Sequence, residues 1–265
     1  MRALTIHYYV VDDYIGWIQR HAPAGTRGGF VVTGTETRPT VVLVHGAFHG
    51  PWVWDRVAAL LTADGWKVQA PALPSVVEPT SAPRGMHADA DAIRKALHAI
   101  PGPVVAVAHS YGGIPVTEAA NGAANVSHVV YLAAFHVEVG ESLTSAVGIP
   151  DWWIRDGETV RPRNPVDVFY ADVDPDVAAS AAAKIQASSF LAFSERRTVA
   201  ACRHIPSTYV ICERDRALPP AAQRDMAQRS DDSCILPTGH SPMSSTPRTV
   251  AALIAEVGLA RGAGE

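Results

Sequence analysis

Short runs of β-branched residues alternate with longer stretches of helical periodicity between residues 39 and 135. The run Thr40–Val44 has the composition of a buried strand, Trp54–Leu61 carries apolar residues at helical spacing, and Gly65 follows as a helix stop. Alternating elements of this kind form βαβ units, in which each crossover returns the chain to the same edge of the sheet. The pattern therefore predicts an α/β fold with a mostly parallel central sheet flanked by helices.

The remaining elements of this fold are assigned by the same periodicities. Further strands are predicted at Lys67–Ala70, Val104–Ala108, Val126–Ala133, Thr208–Cys212 and Cys234–Leu236, and further helices at His87–Ile100, Gly113–Ala120, Ala221–Gln228 and Pro247–Gly258. The length of 265 residues suits one domain, which we place at residues 39–265. Residues 1–38 show no clear pattern and are expected to form an arm or an edge hairpin.

The interval from about residue 136 to residue 204 is too long for an ordinary loop and predicts a small inserted cap. A helical pattern at Asp176–Gln186 indicates that the cap is mainly helical. The cap is rich in aromatic residues: Trp152, Trp153, Phe169, Tyr170, Phe190 and Phe193. Each of these side chains either lines a ligand pocket or belongs to the small core of the cap, and the sequence leaves both alternatives open.

Charge and cysteine usage exclude several classes of function. The formal net charge is −4 and the basic residues are dispersed, so no basic stripe is present to bind nucleic acid. No window is long and apolar enough for a membrane span, and Met1–Val10 lacks a signal-peptide layout, so we expect a cytoplasmic protein. Cys202, Cys212 and Cys234 share no CxxC spacing and are expected to be free thiols. The sequence leaves open whether the chain is a monomer or a homodimer.

One predicted strand runs directly into a helix with a serine at the junction, in the sequence Val104–Ala108, His109, Ser110, Tyr111, Gly112, Gly113. A sharp turn at this point exposes a serine hydroxyl at the carboxyl edge of the sheet, provided that the neighbouring residues are small. Ala108 stands where the G-x-S-x-G motif has its first glycine. Ser110 is therefore a candidate nucleophile, and the alternative is that it only caps the helix.

A serine nucleophile needs a histidine base, and the base needs an acid that orients it. His240 follows the last predicted strand, and Asp215 follows the strand before it, which gives the chain order serine, acid, histidine of this arrangement. Glu213 lies on the same loop as Asp215 and is a competing candidate for the acid. We favour Asp215 because it precedes the apolar turn that leads into the next helix.

The loop after the first confident strand, His45-Gly46-Ala47-Phe48-His49-Gly50, is the expected source of one oxyanion donor. We assign the two backbone donors to Ala47 and to Tyr111, the residue after the candidate nucleophile. His45 and His49 have a spacing that would suit a metal on a helix, but the glycines make this segment a loop. No metal site and no organic cofactor are therefore expected.

Three segments together resemble one branch of the α/β-hydrolase superfamily, namely the plant methylesterase and hydroxynitrile lyase family with its bacterial esterase relatives. They are Val42 to Trp54 (VLVHGAFHGPWVW), the Ala-His-Ser-Tyr-Gly-Gly turn around Ser110, and the Gly-His-Ser-Pro-Met segment around His240. The resemblance extends from about Thr40 to Leu259. It implies an α/β-hydrolase fold and a reaction on a small-molecule ester substrate.

Carried over residue by residue, the resemblance implies Ser110 as nucleophile, His240 as base, Asp215 as orienting acid, and Ala47 and Tyr111 as the oxyanion hole. Lyases of this family have a threonine in the oxyanion loop and a lysine directly after the catalytic histidine. Gly46 and Ser241 occupy those positions here. The resemblance therefore implies ester hydrolysis through an acyl-enzyme, with a lyase, a tailoring enzyme or a non-catalytic ligand-binding homologue as the alternatives.

Overall fold

A computed structural model of the chain describes residues 38–77, 82–199 and 205–262. Its strands are β1 (Thr40–Val44), β2 (Val68–Gln69), β3 (Val76–Val77), β4 (Val104–His109), β5 (Val126–Leu132), β6 (Trp153–Asp156), β7 (Thr159–Pro162), β8 (Ala187–Ser189), β9 (Ser207–Cys212) and β10 (Asp232–Leu236). Its α-helices are α1 (Asp55–Ala63), α2 (Met86–His98), α3 (Gly113–Ala119), α4 (Leu143–Val147), α5 (Pro165–Phe169), α6 (Pro175–Ala182), α7 (Phe190–Ser194), α8 (Pro220–Ala227), α9 (Pro242–Ser245) and α10 (Pro247–Gly262). Short 3-10 turns cover Pro51–Trp54 and Ser110–Gly112.

The central sheet has six strands in the order β10-β9-β5-β4-β1-β2, and each pairing in it is parallel. In the β1–β4 pair Val44 lies opposite Ala108, and in the β9–β10 pair Cys212 lies opposite Leu236. Parallel strands that are paired in register end at the same edge of the sheet. The loops after β1, β4, β9 and β10 therefore all leave from this one edge.

Helices cover both faces of the sheet because neighbouring residues of a strand point to opposite sides. On β1, Val42 and Val44 contribute to one hydrophobic cluster, while Val41 and Leu43 contribute to the other. The first cluster includes residues of α2, α3 and α8, and the second includes residues of α1 and α10. Apolar side chains therefore fill both layers, as the near-continuous β-branched strands of the sequence predict.

The predicted α/β-hydrolase architecture is confirmed, and most element boundaries differ by one or two residues. The predicted strand Lys67–Ala70 is shorter, at Val68–Gln69, and the last helix is longer, since it extends from Pro247 to Gly262. The predicted N-terminal extension lies outside the described residues except for Arg38, as does Cys202. Cys212 and Cys234 are buried free thiols. No helix among the described residues is long and apolar enough to cross a membrane.

The segment between β5 and β9, whose described part we call the inserted segment (residues 133–199), combines helices, which the sequence predicts, with strands, which the sequence does not predict. It contains four short helices and also strands β6, β7 and β8. Together with β3 these strands form a four-stranded antiparallel sheet in the order β3-β8-β7-β6. A hairpin turn with Gly157 at φ 56° joins β6 to β7. These strands are too short for the alternation of their side chains to be recognised in the sequence.

Candidate active site

Ser110 lies at the sharp turn between β4 and α3, with its backbone in the left-handed region at φ 52°. A non-glycine residue adopts this conformation at an energetic cost, which the close packing around it must offset. A Cβ atom at Gly112 would lie 2.6 Å from the His45 carbonyl oxygen, and one at Gly113 would lie 2.4 Å from the Phe135 carbonyl oxygen. Glycine is therefore required at both positions, and the turn brings the Ser110 side chain to the carboxyl edge of the sheet.

His240 lies in the loop after β10 and connects two other side chains. Its Nε2 atom is 3.0 Å from Ser110 Oγ, and its Nδ1 atom is 2.7 Å from Asp215 Oδ2. All three residues are less than one-tenth exposed. A carboxylate only accepts hydrogen bonds, so Asp215 holds the proton of His240 on Nδ1 and leaves Nε2 free to accept the Ser110 hydroxyl proton.

Donors surround the Asp215 carboxylate in the loop after β9. The backbone N–H groups of Ala217 and Leu218 donate to Oδ1 at 2.7 and 2.9 Å, and Gln223 Nε2 donates to Oδ2 at 2.8 Å. These contacts support a buried, ionised carboxylate with a fixed orientation. The competing candidate, Glu213, has a side chain that is 51% exposed and pairs with Arg224 at 3.2 Å. The structure thus brings Asp215, and not Glu213, to His240.

The loop predicted to supply an oxyanion donor, which we call the oxyanion loop (residues 45–50), lies directly against the candidate nucleophile. A Cβ atom at Gly46 would be 2.8 Å from Ser110 Cβ, so the loop approaches this closely only because residue 46 is glycine. Ala47 and Tyr111 line the same pocket as Ser110. Tyr111 is in the first turn after β4, where backbone N–H groups have no acceptor within the helix. Among the described residues, the Ala47 N–H also has no hydrogen-bond acceptor.

A pocket opens between the carboxyl edge of the central sheet and the inserted segment. Its lining is almost wholly apolar and aromatic: Ala47, Phe48, Ser110, Tyr111, Phe135, Leu143, Val147, Pro150, Trp152, Trp153, Phe169, Ala217, Leu218 and His240. Three of the six aromatic residues noted in the inserted segment, Trp152, Trp153 and Phe169, therefore line it. Phe193 and Tyr170 are buried behind this lining, and Phe190 packs beneath the guanidinium of Arg155.

The oxyanion loop itself contains two buried histidines, His45 and His49. Burial lowers the pKa of His45 to about 4 and that of His49 to about 3, so both rings are neutral near pH 7. His45 Nδ1 donates to the Gly46 carbonyl oxygen at 2.9 Å, and its Nε2 accepts from the Leu73 N–H at 3.1 Å. These histidines brace the loop. The described residues contain no group of three or more histidine, cysteine or acidic side chains that would hold a metal ion.

His109 directly precedes Ser110 and contacts the candidate base, His240. Its Nε2 atom donates to the His240 carbonyl oxygen at 2.8 Å, and the two rings lie 4.7 Å apart. Burial keeps the pKa of His109 well below its usual value, and the nearby His240 lowers it further. A neutral ring at this position supports the His240 loop without adding a positive charge beside it.

The sequence did not indicate three contacts of this site: the hydrogen bonds between Tyr170 and His49, Asp172 and Gly239, and Asp89 and Tyr111. The first two join partners that are 121 and 67 residues apart in the chain. In a single sequence no spacing or periodicity relates such partners. His49 and Gly239 lie in segments that the sequence assigns to the site, but no sequence signal marks Tyr170 or Asp172.

Residues 41–253 match the model of the alpha/beta hydrolase family. The chain belongs to this family. This α/β hydrolase is 30% identical over 241 residues to alpha/beta hydrolase nvfD of Aspergillus novofumigatus, across 82% of its own length and 95% of the relative's. It is 28% identical over 255 residues to Methylesterase 7 of Arabidopsis thaliana, across 82% and 95% of the two chains. The resemblance to plant methylesterases is thereby confirmed.

Solved structures support the same fold for this α/β hydrolase. A pyrethroid hydrolase from Sphingobium faniae superposes with a TM-score of 0.71 at 24% identity, and the match covers 83% of this chain and 97% of that one. At this level of identity the likeness shows the shared fold and does not extend to the substrate.

Proposed function

We propose that this α/β hydrolase is a serine carboxylesterase in which Ser110, His240 and Asp215 are the catalytic triad. The observation that carries the proposal is the continuous hydrogen-bond chain from Ser110 Oγ through His240 to Asp215, buried at one end of an apolar pocket. A serine hydroxyl becomes a useful nucleophile when an oriented base accepts its proton. The esterase relatives support the same class of reaction.

The reaction begins when His240 Nε2 takes the Ser110 proton and Oγ forms a bond to the ester carbonyl carbon. The oxyanion of the tetrahedral intermediate accepts hydrogen bonds from the Ala47 and Tyr111 N–H groups, and Asp215 stabilises the imidazolium. Collapse of this intermediate breaks the bond to the alkoxy oxygen, which takes the proton from His240 and leaves as the alcohol. Water, activated by His240, then attacks the acyl-enzyme and releases the carboxylic acid, which restores Ser110.

The pocket favours a small ester whose acyl or alcohol part is apolar or aromatic. Apart from His240 and the buried phenol of Tyr111, its lining has no ionisable side chain. Burying a charged substrate group there without a partner would be costly, whereas ring stacking against Trp152, Trp153 and Phe169 is favourable. The inserted segment acts in this proposal as a cap that supplies seven of the fourteen residues lining the pocket.

The structure of the oxyanion loop argues against the hydroxynitrile lyase alternative. A Cβ atom at Gly46 would already be 2.8 Å from Ser110 Cβ, so the threonine of the lyases does not fit this backbone. Ser241, where the lyases have lysine, is fully buried and supplies no positive charge. Both residues therefore favour ester hydrolysis, in which water attacks the acyl-enzyme, over the lyase reaction.

The proposal is tested by comparing the wild-type protein with Ser110→Ala in two assays. A panel of methyl, aryl and lactone esters measures turnover, and a fluorophosphonate probe measures activation of the serine without knowledge of the substrate. Loss of Ser110 should lower turnover by about 10³-fold or more and abolish labelling. A folded wild-type protein that neither hydrolyses esters nor takes up the probe would contradict the proposal and favour the ligand-binding alternative.

A further inference from the structure

Tyr170, directly after α5 in the inserted segment, contacts the oxyanion loop from behind the pocket lining. Its hydroxyl oxygen is 2.7 Å from His49 Nε2. Both side chains are almost completely buried, at 1% exposure each. Each partner loses its hydrogen bonds to water on burial, and the hydrogen bond between the two side chains offsets that cost. Removal of one partner would leave the other buried without it.

The direction of this hydrogen bond follows from the other contact of His49. The Nδ1 atom of His49 lies 2.6 Å from the Ala47 carbonyl oxygen, which can only accept, so Nδ1 carries the proton. Burial lowers the pKa of His49 to about 3, and the ring is therefore neutral with a bare Nε2. Tyr170 must donate to Nε2, and the bonds run in one direction, from the Tyr170 hydroxyl through His49 to the Ala47 carbonyl.

The Ala47 carbonyl belongs to the peptide that joins Ala47 to Phe48, and both ends of this peptide are held. The Phe48 N–H donates to Ser188 Oγ at 2.8 Å, and the Phe48 carbonyl oxygen accepts from the Gln186 N–H at 3.0 Å. Phe48 has φ 66°, a strained conformation for this residue type. Three residues of the inserted segment therefore hold the strained loop in place: Tyr170, Gln186 and Ser188.

We propose, on the basis of the proposed esterase function, that Tyr170 is a positioning residue of the oxyanion hole. Acting through His49, it fixes the Ala47 carbonyl and thereby the orientation of the neighbouring Ala47 N–H toward the developing oxyanion. Hydrogen bonds to an oxyanion depend steeply on placement, and an error of about 1 Å costs on the order of 10²-fold in rate. The inserted segment thus completes the catalytic centre as well as shaping the pocket.

The test is Tyr170→Phe, which removes the hydroxyl and retains the ring. We expect kcat to fall about 10-fold or more, with KM within about 2-fold, because the lost alignment matters most in the transition state. The affinity for a trifluoromethyl ketone, which forms a tetrahedral adduct with the serine, should fall in parallel with kcat/KM. Tyr131→Phe is the matched control, since Tyr131 is also fully buried and bonds Thr117 Oγ1 at 2.7 Å within the core. It should lower thermal stability without affecting either readout.

A second variant makes the test independent of the folding of the first. In a His49→Ala background, Tyr170→Phe should cause no further loss of kcat, because its effect passes through His49. An equal loss in both backgrounds, or wild-type kcat and ketone affinity in Tyr170→Phe, would overturn the inference while leaving the esterase proposal intact. A wild-type protein without ester turnover and without fluorophosphonate labelling would overturn both.

Discussion

Asp172, in the inserted segment, accepts a hydrogen bond at 2.6 Å from the backbone N–H of Gly239, the residue before His240. A Cβ atom at Gly239 would lie 2.5 Å from Asp172 Oδ1, so the carboxylate packs directly onto the loop backbone. The loop of the candidate base is therefore fixed from two sides, by Asp172 and by the His109 ring that donates to the His240 carbonyl.

Replacement of Asp172 by alanine should lower kcat about 10-fold, because the His240 loop loses the acceptor that fixes its backbone. The fold should persist, since Asp172 is itself exposed. Asp176→Ala is the control: it removes the same charge from an exposed position on α6, and Asp176 makes no side-chain contact with the His240 loop. Ester kinetics and thermal unfolding of both variants check the prediction, and equal kcat values would contradict it.

Asp215→Asn should reduce kcat by about 10²-fold to 10⁴-fold, because an amide holds His240 in the wrong tautomer and does not stabilise the imidazolium. Glu213→Gln should stay within about 2-fold of the wild type, since this carboxylate is half exposed and pairs with Arg224 away from His240. Steady-state kinetics on the best ester of the panel distinguish the two. A larger loss of kcat in the Glu213 variant would show that Glu213, and not Asp215, is the acid.

Asp89 should make the free energy of unfolding fall as pH rises. Burial raises the pKa of this carboxyl from 3.8 to about 6, although hydrogen bonds from Ser75 and Tyr111 act in the opposite direction. Between about pH 4 and pH 6 the folded state binds more protons at this site than the unfolded state, so stability decreases over that interval.

In the Asp89→Asn variant this titration is absent, so between pH 4 and pH 7 its free energy of unfolding should rise relative to that of the wild type by about 2 kcal/mol. Urea unfolding at a series of pH values measures the difference. Asp91→Asn, at an exposed carboxylate on the same helix, is the control and should give a curve parallel to that of the wild type. If the curve of Asp89→Asn were also parallel to that of the wild type, the Asp89 carboxyl would have an ordinary pKa and the prediction would be wrong.

Cys212 and Cys234 should resist alkylation in the folded protein. Both thiols are fully buried, and desolvation raises their pKa, which removes the reactive thiolate. Peptide mapping after iodoacetamide treatment near pH 8 should find neither residue modified, and both modified once urea unfolds the chain. Alkylation of either cysteine in the folded protein, without urea, would mean that β9 or β10 opens readily.

The central sheet was predictable from the sequence because its strands are buried on both faces. Thr40–Val44 has the bounds predicted for it, and Val104–His109 extends its prediction by one residue, since continuous β-branched runs have few other ways to fold. The candidate triad also follows from topology. Parallel strands deliver Ser110, Asp215 and His240 to one edge of the sheet, and the sequence places each residue just after its strand.

The inserted segment was predicted less well because short elements leave weak patterns. The helix expected at Asp176–Gln186 ends at Ala182, and after a short turn the chain forms β8 from Ala187, with β3 and β7 as its partners. Strand pairing of this kind is decided by tertiary contacts and not by local propensity. For the same reason Trp152 and Phe193 looked equivalent in the sequence, although only the first lines the pocket.

The inserted segment bonds the oxyanion loop through the Tyr170 hydroxyl and the His240 loop through the Asp172 carboxylate, which accepts from Gly239. These contacts also limit how such enzymes can be altered. A graft of the whole segment from a relative would exchange the substrate contacts and the supports of the reacting groups in one step. Selectivity is therefore more safely redesigned at pocket positions outside these contacts, such as Leu143 and Val147. Single substitutions in the pocket can therefore change substrate contacts alone, whereas exchange of the whole inserted segment would also change the supports of the two loops.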